Sequence, residues 1–274
     1  MPPCPSCGND HGRNALRSGS YWYAACDRCG LLRLEPLPDR DATIALYGAD
    51  YFSAASPGGY IDYLGDEKVH RRNARRHLVR LQGLGRPGSL VEIGSAAGFL
   101  LDEARLAGWQ VHGVEVSPQM VRQSVDRFGL SVVDDISKLA LAPRSVDVVL
   151  ANQVVEHLVQ PLETLVAARA LLRPGGFLGI ETWDIGSPVA RLMKSKWQQI
   201  TPPHVIWLWD RRQLEALVSN AGFGQISIRP SMKWVSLRTI LGQLGKGNLA
   251  KRLSHAMGVP YAFGDLVTLT ARAK

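Results

Sequence analysis

Three groups of residues in this 274-residue chain carry chemistry. The first is Glu92-Ile-Gly94-Ser95-Ala96-Ala-Gly98, an acid two residues ahead of a glycine turn. A carboxylate facing a helix N-terminus suits a ligand with a cationic amine, and the glycines let the backbone turn sharply away from a strand. The second group is Cys4-Pro-Ser-Cys7-Gly and Cys26-Asp-Arg-Cys29-Gly, two C-x-x-C knuckles separated by 18 residues, which hold all four cysteines of the chain. This spacing is that of a structural zinc site, in which four thiolates leave no position for a reacting water. The third is Gln153-Val-Val-Glu156-His157 with, further on, Thr201-Pro-Pro-His204. An imidazole has the intrinsic pKa to take a proton from a hydroxyl nucleophile.

The elements that must position these groups follow from the surrounding pattern. Ser89-Leu-Val-Glu-Ile93 is a short apolar strand, residues 94–98 the turn, and Phe99-Leu-Leu101 opens a helix. Ala96 stands where the dinucleotide fingerprint G-x-G-x-x-G has its middle glycine, which disfavours a pyrophosphate ligand and favours the amino-acid half of S-adenosylmethionine. Trp109-Gln-Val-His-Gly-Val-Glu115 supplies the next strand, and its terminal acid lies about 20 residues on, where a carboxylate takes ribose hydroxyls.

From roughly Tyr51 onward the sequence resembles the class I S-adenosylmethionine-dependent methyltransferases. The resemblance implies an α/β, Rossmann-like, seven-stranded sheet, mostly parallel with the last strand reversed, preceded here by a zinc-ribbon module. It implies cofactor contacts at Glu92, Gly94, Ser95, Ala96 and Gly98, at Glu115 with Val116 on the ribose, and at Asp135 with Ile136 on the adenine. It also places Asn152 and Gln153, at the end of strand four, beside the methyl donor. Tyr60 and Tyr63 stand where relatives carry a flap over the cofactor carboxylate. The run from Gln153 to His157 is similar to the E-x-x-E-H of quinone-biosynthesis O-methyltransferases, with Gln153 in place of the first acid, which weakens any metal role there. The Cys-Gly-Leu, Pro-x-Pro and Tyr-Phe succession between residues 29 and 52 is similar to zinc-bearing sugar C-methyltransferases.

The expected organisation is a zinc ribbon over residues 1–36, a helical linker and flap over 37–85, and a methyltransferase domain over 86–274 with insertions at 183–210 and 232–261. Helices are expected from Leu37 to Tyr47, Asp62 to Leu81, Pro118 to Phe128 (capped by Ser117), Pro161 to Leu172 and Arg211 to Ala221. Two more are expected in the second insertion, around Leu237 to Leu244 and Leu249 to Met257. Strands are expected at Ser20 to Ala25, Leu130 to Val133, Val146 to Leu150, Phe177 to Thr182, Phe223 to Ile228 and Phe263 to Ala271. The first insertion holds Trp183, Trp197, Trp207 and Trp209, aromatics that suit a flat or apolar acceptor or a plain core. The second would be a lid, a homodimer contact or a lipid-surface patch.

Composition narrows the function classes. The formal charge of +8 favours anionic partners, and the helix from Asp62 carries Lys68, Arg71, Arg72, Arg75, Arg76 and Arg80 as either an anion-binding face or a solvated one. No apolar run reaches the roughly 20 residues of a membrane span, and no signal pattern opens the chain, so a cytoplasmic location is expected. With all thiols placed on zinc, no cysteine is left as a covalent nucleophile. Strand four does not end in Asn/Asp-Pro-Pro-Tyr, the tetrapeptide of many base-amine methyltransferases. The reading is therefore methyl transfer to a small hydroxylated metabolite, at oxygen before carbon, with His157 or His204 as base and either histidine alternatively bracing its loop. RNA methylation through the zinc module is the alternative, and a non-catalytic methyltransferase-like subunit the third.

Overall fold

In the computed structural model, residues 2–53, 59–243, 249 and 253–274 are described. Two compact units emerge: one comprises Met1–Leu46, Ala140–Ser231 and Phe263–Lys274, the other Tyr47–Leu139 and Met232–Ala262. The first unit opens with β1 (Gly12–Ser18), β2 (Tyr21–Cys26), β3 (Leu32–Glu35) and α1 (Arg40–Leu46). The second follows with α2 (Glu67–Leu81), β4 (Ser89–Ile93), α3 (Phe99–Leu106), β5 (Gln110–Val114), α4 (Pro118–Phe128) and β6 (Val132–Val133). The chain then gives the first unit β7 (Val146–Asn152), α5 (Pro161–Leu171), β8 (Leu172–Trp183), α6 (Pro188–Met193), β9 (Trp207–Leu208), α7 (Arg211–Asn220) and β10 (Phe223–Pro230). Last come β11 (Lys233–Ser236), α8 (Leu237–Gln243) and β12 (Gly258–Tyr261) of the second unit and β13 (Leu266–Ala273) of the first.

The main sheet has seven strands in the order β10-β13-β8-β7-β4-β5-β6. Its β4–β5, β5–β6 and β7–β8 pairs are parallel, while β13 runs antiparallel to both β8 and β10, so the last strand is reversed as expected. Leu90, Val91 and Ile93 of β4 and Val148, Val149 and Ala151 of β7 are buried, as strands covered on both faces require. Register matters most for function: β4 and β5 pair in phase from Ser89 opposite Gln110 to Ile93 opposite Val114. The residues that follow, Gly94 and Glu115, therefore leave the sheet at the same edge.

In the first unit, β1, β2, β3 and β9 form a second sheet, whose last pairing sets Leu32 opposite Leu208 and Arg33 opposite Trp207. The cysteine-bearing segment is thus completed by a strand from far along the chain. Its apolar residues Tyr23, Leu31 and Leu34 are almost wholly buried, the Tyr23 hydroxyl donates to the Val205 carbonyl at 2.7 Å, and Trp197, Trp207 and Trp209 are buried core residues.

Several elements differ from expectation. The helix expected from Asp62 starts at Glu67, after a turn in which the Asp62 carboxylate accepts the Gly65 N–H at 2.9 Å. The strand expected from Leu130 is only Val132–Val133. Ser117 precedes α4, but its side chain makes no cap bond; its backbone N–H instead donates to Glu115. The second insertion folds as the hairpin β11–β12 in addition to α8, with Lys233 opposite Tyr261 and Ser236 opposite Gly258. Of the helix expected around 249–257, residues 250–252 lie outside the described residues, and 253–257 form a bend and turn leading into β12. The hairpin is fastened by Asn73 of α2, whose amide oxygen accepts the Trp234 N–H and whose amide nitrogen donates to the Trp234 carbonyl, both at 2.8 Å. A side chain here imitates the neighbouring strand that β11 lacks on that side.

The core of the second unit is aromatic. Tyr51, Phe52, Ala97, Phe99 and Met120 cluster, with Tyr60, Tyr63 and Phe128 packed against them. His70 of α2 lies 4.1 Å from the Tyr63 ring and 5.8 Å from Phe99, between centroids. Burial, with Lys233 adding to it, pushes the His70 pKa from 6.5 down to about 4. A histidine depressed by folding leaves stability intact above its unfolded value and costs stability as pH falls toward the folded one. His70→Phe, which keeps the stack, is therefore expected to flatten the decline of the thermal midpoint between pH 6.5 and 4 relative to the parent; equal declines in both proteins would count against the assignment.

Candidate cofactor cradle and active site

The second unit carries the cradle. Both Gly94 and Ser95 donate their backbone N–H to the Val114 carbonyl, at 2.8 and 3.1 Å, which sews the turn after β4 to the end of β5. Gly94, Ala96 and Gly98 all have positive φ, at 72°, 45° and 80°. For Ala96 this conformation is costly, and the residue is held there from outside. One Glu115 oxygen accepts the Ala96 N–H and the other the Ser117 N–H, each at 2.8 Å. Glu115 thus braces the glycine turn, and each oxygen keeps a second lone pair for a ligand hydroxyl.

Gly98 serves a purpose the sequence did not reveal. A Cβ there would stand 2.5 Å from Leu130 Cδ1 and 2.9 Å from Ser124 Cβ, so its missing side chain admits α4 and the segment before β6. Glu92 is 5% exposed, and its charge, with those of Tyr60 and Glu115, bears on the Tyr63 hydroxyl. Burial first, then these three groups, hold the Tyr63 pKa well above its usual value. The flap tyrosines, the strand-end acids and Phe99, the first residue of α3, therefore converge on one place. Further along, the Asp135 carboxylate accepts the Ser137 N–H and hydroxyl, at 2.9 and 2.6 Å, and Asp134 pairs with Lys138. Val116 and Ile136 are half-buried beside Glu115 and Asp135.

The first unit carries the remaining candidates. Asn152 ends β7 with its amide nitrogen buried and, among the described residues, without a hydrogen-bond partner. Gln153 follows in a left-handed conformation, φ 55°, and its N–H donates to the Glu181 carbonyl at 2.7 Å. The His157 Nδ1 lies 2.6 Å from the His204 carbonyl oxygen. A carbonyl only accepts, so Nδ1 carries the proton and the lone pair of the neutral ring is on Nε2. The two histidines are thus brought together, through ring and backbone, with the His204 side chain buried. Glu156 does not orient His157: it is 2% exposed, and its Oε2 accepts the Thr182 hydroxyl at 2.8 Å. The Ile206 N–H donates to the Glu156 carbonyl and the Trp207 indole to the Leu158 carbonyl, which ties the loop after β7 to residues 204–207. Thr182 and Glu181 escaped sequence reasoning because two polar residues at the end of an apolar strand look alike in sequence whether they are buried against loops or meet water.

Also in the first unit, the four cysteine sulfurs lie within 4.8 Å of one another, with Cys4 to Cys29 and Cys7 to Cys26 at 3.5 Å. A tetrahedral metal with sulfur bonds of about 2.3 Å sets its ligands about 3.8 Å apart, so the set fits such an ion. The knuckles are twins: Gly8 donates to the Cys4 carbonyl and Gly30 to the Cys26 carbonyl, both at 2.8 Å, each in the left-handed region. The knuckles dock on α7, where Gln213 donates to the Cys29 carbonyl and Asn220 to the carbonyls of Pro5 and Ser6.

Comparison with known proteins fits this geometry. Residues 66–228 match the Methyltransferase domain family. The chain belongs to that family. A protein of 37.1 kDa, uncharacterized, in transposon Tn4556 of Streptomyces fradiae is 30% identical over 211 residues, covering 71% of this chain and 61% of that protein. A ubiquinone biosynthesis O-methyltransferase of Cereibacter sphaeroides is 34% identical over 99 residues, 34% of this chain and 40% of its own. The chain thus spans about 40 to 60% of the length of these curated relatives. Among solved structures, a methyltransferase dependent on S-adenosylmethionine from Archaeoglobus fulgidus superposes with a TM-score of 0.54 at 17% identity, over 75% of this chain and 94% of that one, which establishes the shared class I fold. Among the described residues, no helix is long and apolar enough to cross a membrane.

Burial raises the Glu115 pKa, against the lowering effect of the N–H groups of Ser117, Ala96 and Val116. Because the folded protein then holds this proton more tightly than the unfolded chain, Glu115 adds stability as pH falls. Binding of a ligand that donates hydroxyls to the carboxylate runs the other way. Affinity for such a ligand is expected to fall with acid at a pH above the ordinary glutamate range, and to lose that dependence in Glu115→Gln, as followed by calorimetry across pH; an unchanged profile in the variant would remove Glu115 from ligand contact.

Proposed function

We propose that this chain transfers a methyl group from S-adenosylmethionine to a hydroxyl of a small metabolite. The observation that carries the cofactor reading is the pair of buried carboxylates, Glu92 and Glu115, at adjoining strand ends beside a glycine turn that Glu115 itself holds open. Bound there, S-adenosylmethionine supplies a methyl group on a sulfonium, an electrophile that needs only a well-placed nucleophile. Glu92 receives the cationic amine; residues 94–98 pass beneath it; Glu115 with Val116 takes the ribose; Asp135 with Ile136 takes the adenine. Asn152 and Gln153 border the methyl group.

His157 is the base. Its Nδ1 proton is fixed on the His204 carbonyl, which turns the Nε2 lone pair to proton abstraction from the acceptor hydroxyl. His204, with its side chain buried, is the second base candidate, and its carbonyl separately fixes the His157 tautomer. Likeness to ubiquinone biosynthesis O-methyltransferases supports oxygen over carbon. The metabolite reading gains over RNA from α2: Arg71 is paired with Glu67, Asp102 and Glu103, and Arg75 with Glu103, so those arginines are spent within the fold. The four cysteines would hold a structural zinc ion.

Three outcomes are expected. S-adenosylhomocysteine binds the purified protein with micromolar affinity and at least tenfold more weakly to Glu115→Ala; no binding by folded, metal-loaded protein would defeat the enzymatic reading. His157→Ala lowers methyl transfer to hydroxylated acceptors by about 10² to 10⁴ while leaving S-adenosylhomocysteine affinity unchanged. Metal analysis finds one zinc per chain, lost in Cys29→Ser together with part of the thermal stability.

A further inference from the structure

The first unit exposes a ridge that neither the cradle nor the metal set uses. Residues 191–196, Arg-Leu-Met-Lys-Ser-Lys, form the end of α6 and the 3-10 turn after it, and all six are exposed. Leu192 is 83% exposed and Met193 39%. Solvating two large apolar side chains side by side is unfavourable, and the backbone presents them by a sharp reversal, Lys194 having φ 50°. The Lys194–Lys196 turn lies beside β1. On the adjoining hairpin, Trp22 of β2 is 38% exposed and faces Arg17 of β1 across the pair, the Arg17 guanidinium lying 5.7 Å from the indole centroid.

Cations outnumber acids on this ridge, Glu35 of β3 standing opposite Trp22. Residues 187–199 contain Arg191, Lys194 and Lys196 and no acid; residues 12–26 contain Arg13 and Arg17 and no acid. Arg13 meets Asp27, just past β2, at 3.8 Å with 85% of its side chain exposed. Long cationic side chains flanking exposed leucine, methionine and tryptophan match a bilayer interface in kind. The apolar tips reach the acyl boundary, the indole sits at headgroup depth, and the cations meet anionic phosphates. A nucleic-acid face would set the same cations around base-stacking rings or base-edge donors; here the most exposed side chain is an aliphatic one.

We propose that this ridge, Leu192 and Met193 with Trp22 and their five flanking cations, docks the protein on an anionic lipid surface. The proposal does not depend on the cofactor reading. A shallow ridge of this kind gives reversible attachment, since each cation near an anionic surface strengthens binding about fivefold and two apolar tips add a second, weaker hold.

The test uses the full chain with vesicles of phosphatidylcholine alone and with about one-third phosphatidylglycerol. Co-sedimentation is expected with the anionic vesicles and not the neutral ones. Replacing Arg191, Lys194 and Lys196 together by Gln should weaken binding about a hundredfold. Leu192→Ser with Met193→Ser should weaken it at least fivefold, each variant keeping the parent's circular dichroism and S-adenosylhomocysteine affinity. Tryptophan emission should shift to the blue on binding, and Trp22→Phe should abolish the shift. Absence of binding to anionic vesicles overturns the proposal. So does binding that the Leu192 and Met193 changes leave intact, or a tighter, salt-sensitive affinity for bulk RNA that the three Gln changes remove.

Discussion

The structure of the second unit depends on one fastening, the carboxylate of Glu115 across the turn that leaves β4. The turn needs three residues with positive φ, and only two of them are glycines. Ala96 carries the cost, and it is held in place because its N–H meets a buried carboxylate at 2.8 Å, a charge-assisted bond in a water-poor setting. In-phase pairing of β4 with β5 is what brings that carboxylate to the right edge. A strand slipped by one residue would turn Glu115 to the opposite face and release the turn. The same residue thus shapes the cradle and presents oxygens to a ligand, which couples ligand affinity to backbone conformation.

The first unit is built around a different economy of parts. A module with four cysteines and three short strands buries too little surface to stand alone. Here β9 extends its sheet and α7 receives its knuckles through Gln213 and Asn220. The segment that supplies β9 also supplies the His204 carbonyl that fixes the His157 ring. Knuckles, β9 and the loop after β7 therefore form one continuous set of contacts within that unit, and a structural metal would stabilise the histidine geometry as well as the ribbon.

Charge and aromatic content are both distributed unequally. Arg71 and Arg75 of α2 are absorbed by Glu67, Asp102 and Glu103, and tryptophans 197, 207 and 209 by the core. Another exposed set, in which cations outnumber acids, lies around Leu192 and Trp22. Net charge alone could not separate these two populations, because an ion pair between neighbouring helices leaves no mark in composition.

The sequence by itself determined the elements whose cause is local. An acid and two glycines after an apolar run, Pro118 at the start of α4, and two C-x-x-C-Gly knuckles each dictate their conformation within a few residues. The resemblance that the glycine turn and its acids carry implied the fold class and the reversed final strand. Tertiary structure decided whatever depends on residues meeting from afar. It assigned Gly98 to packing against Ser124 and Leu130, and Glu156 to Thr182 rather than to His157. It added the β11–β12 hairpin, held by Asn73, to the second insertion, and made residues 207–208 a strand of the cysteine module. Such pairings span tens to hundreds of residues, and a side chain or an open strand edge finds its partner only when the whole chain has folded.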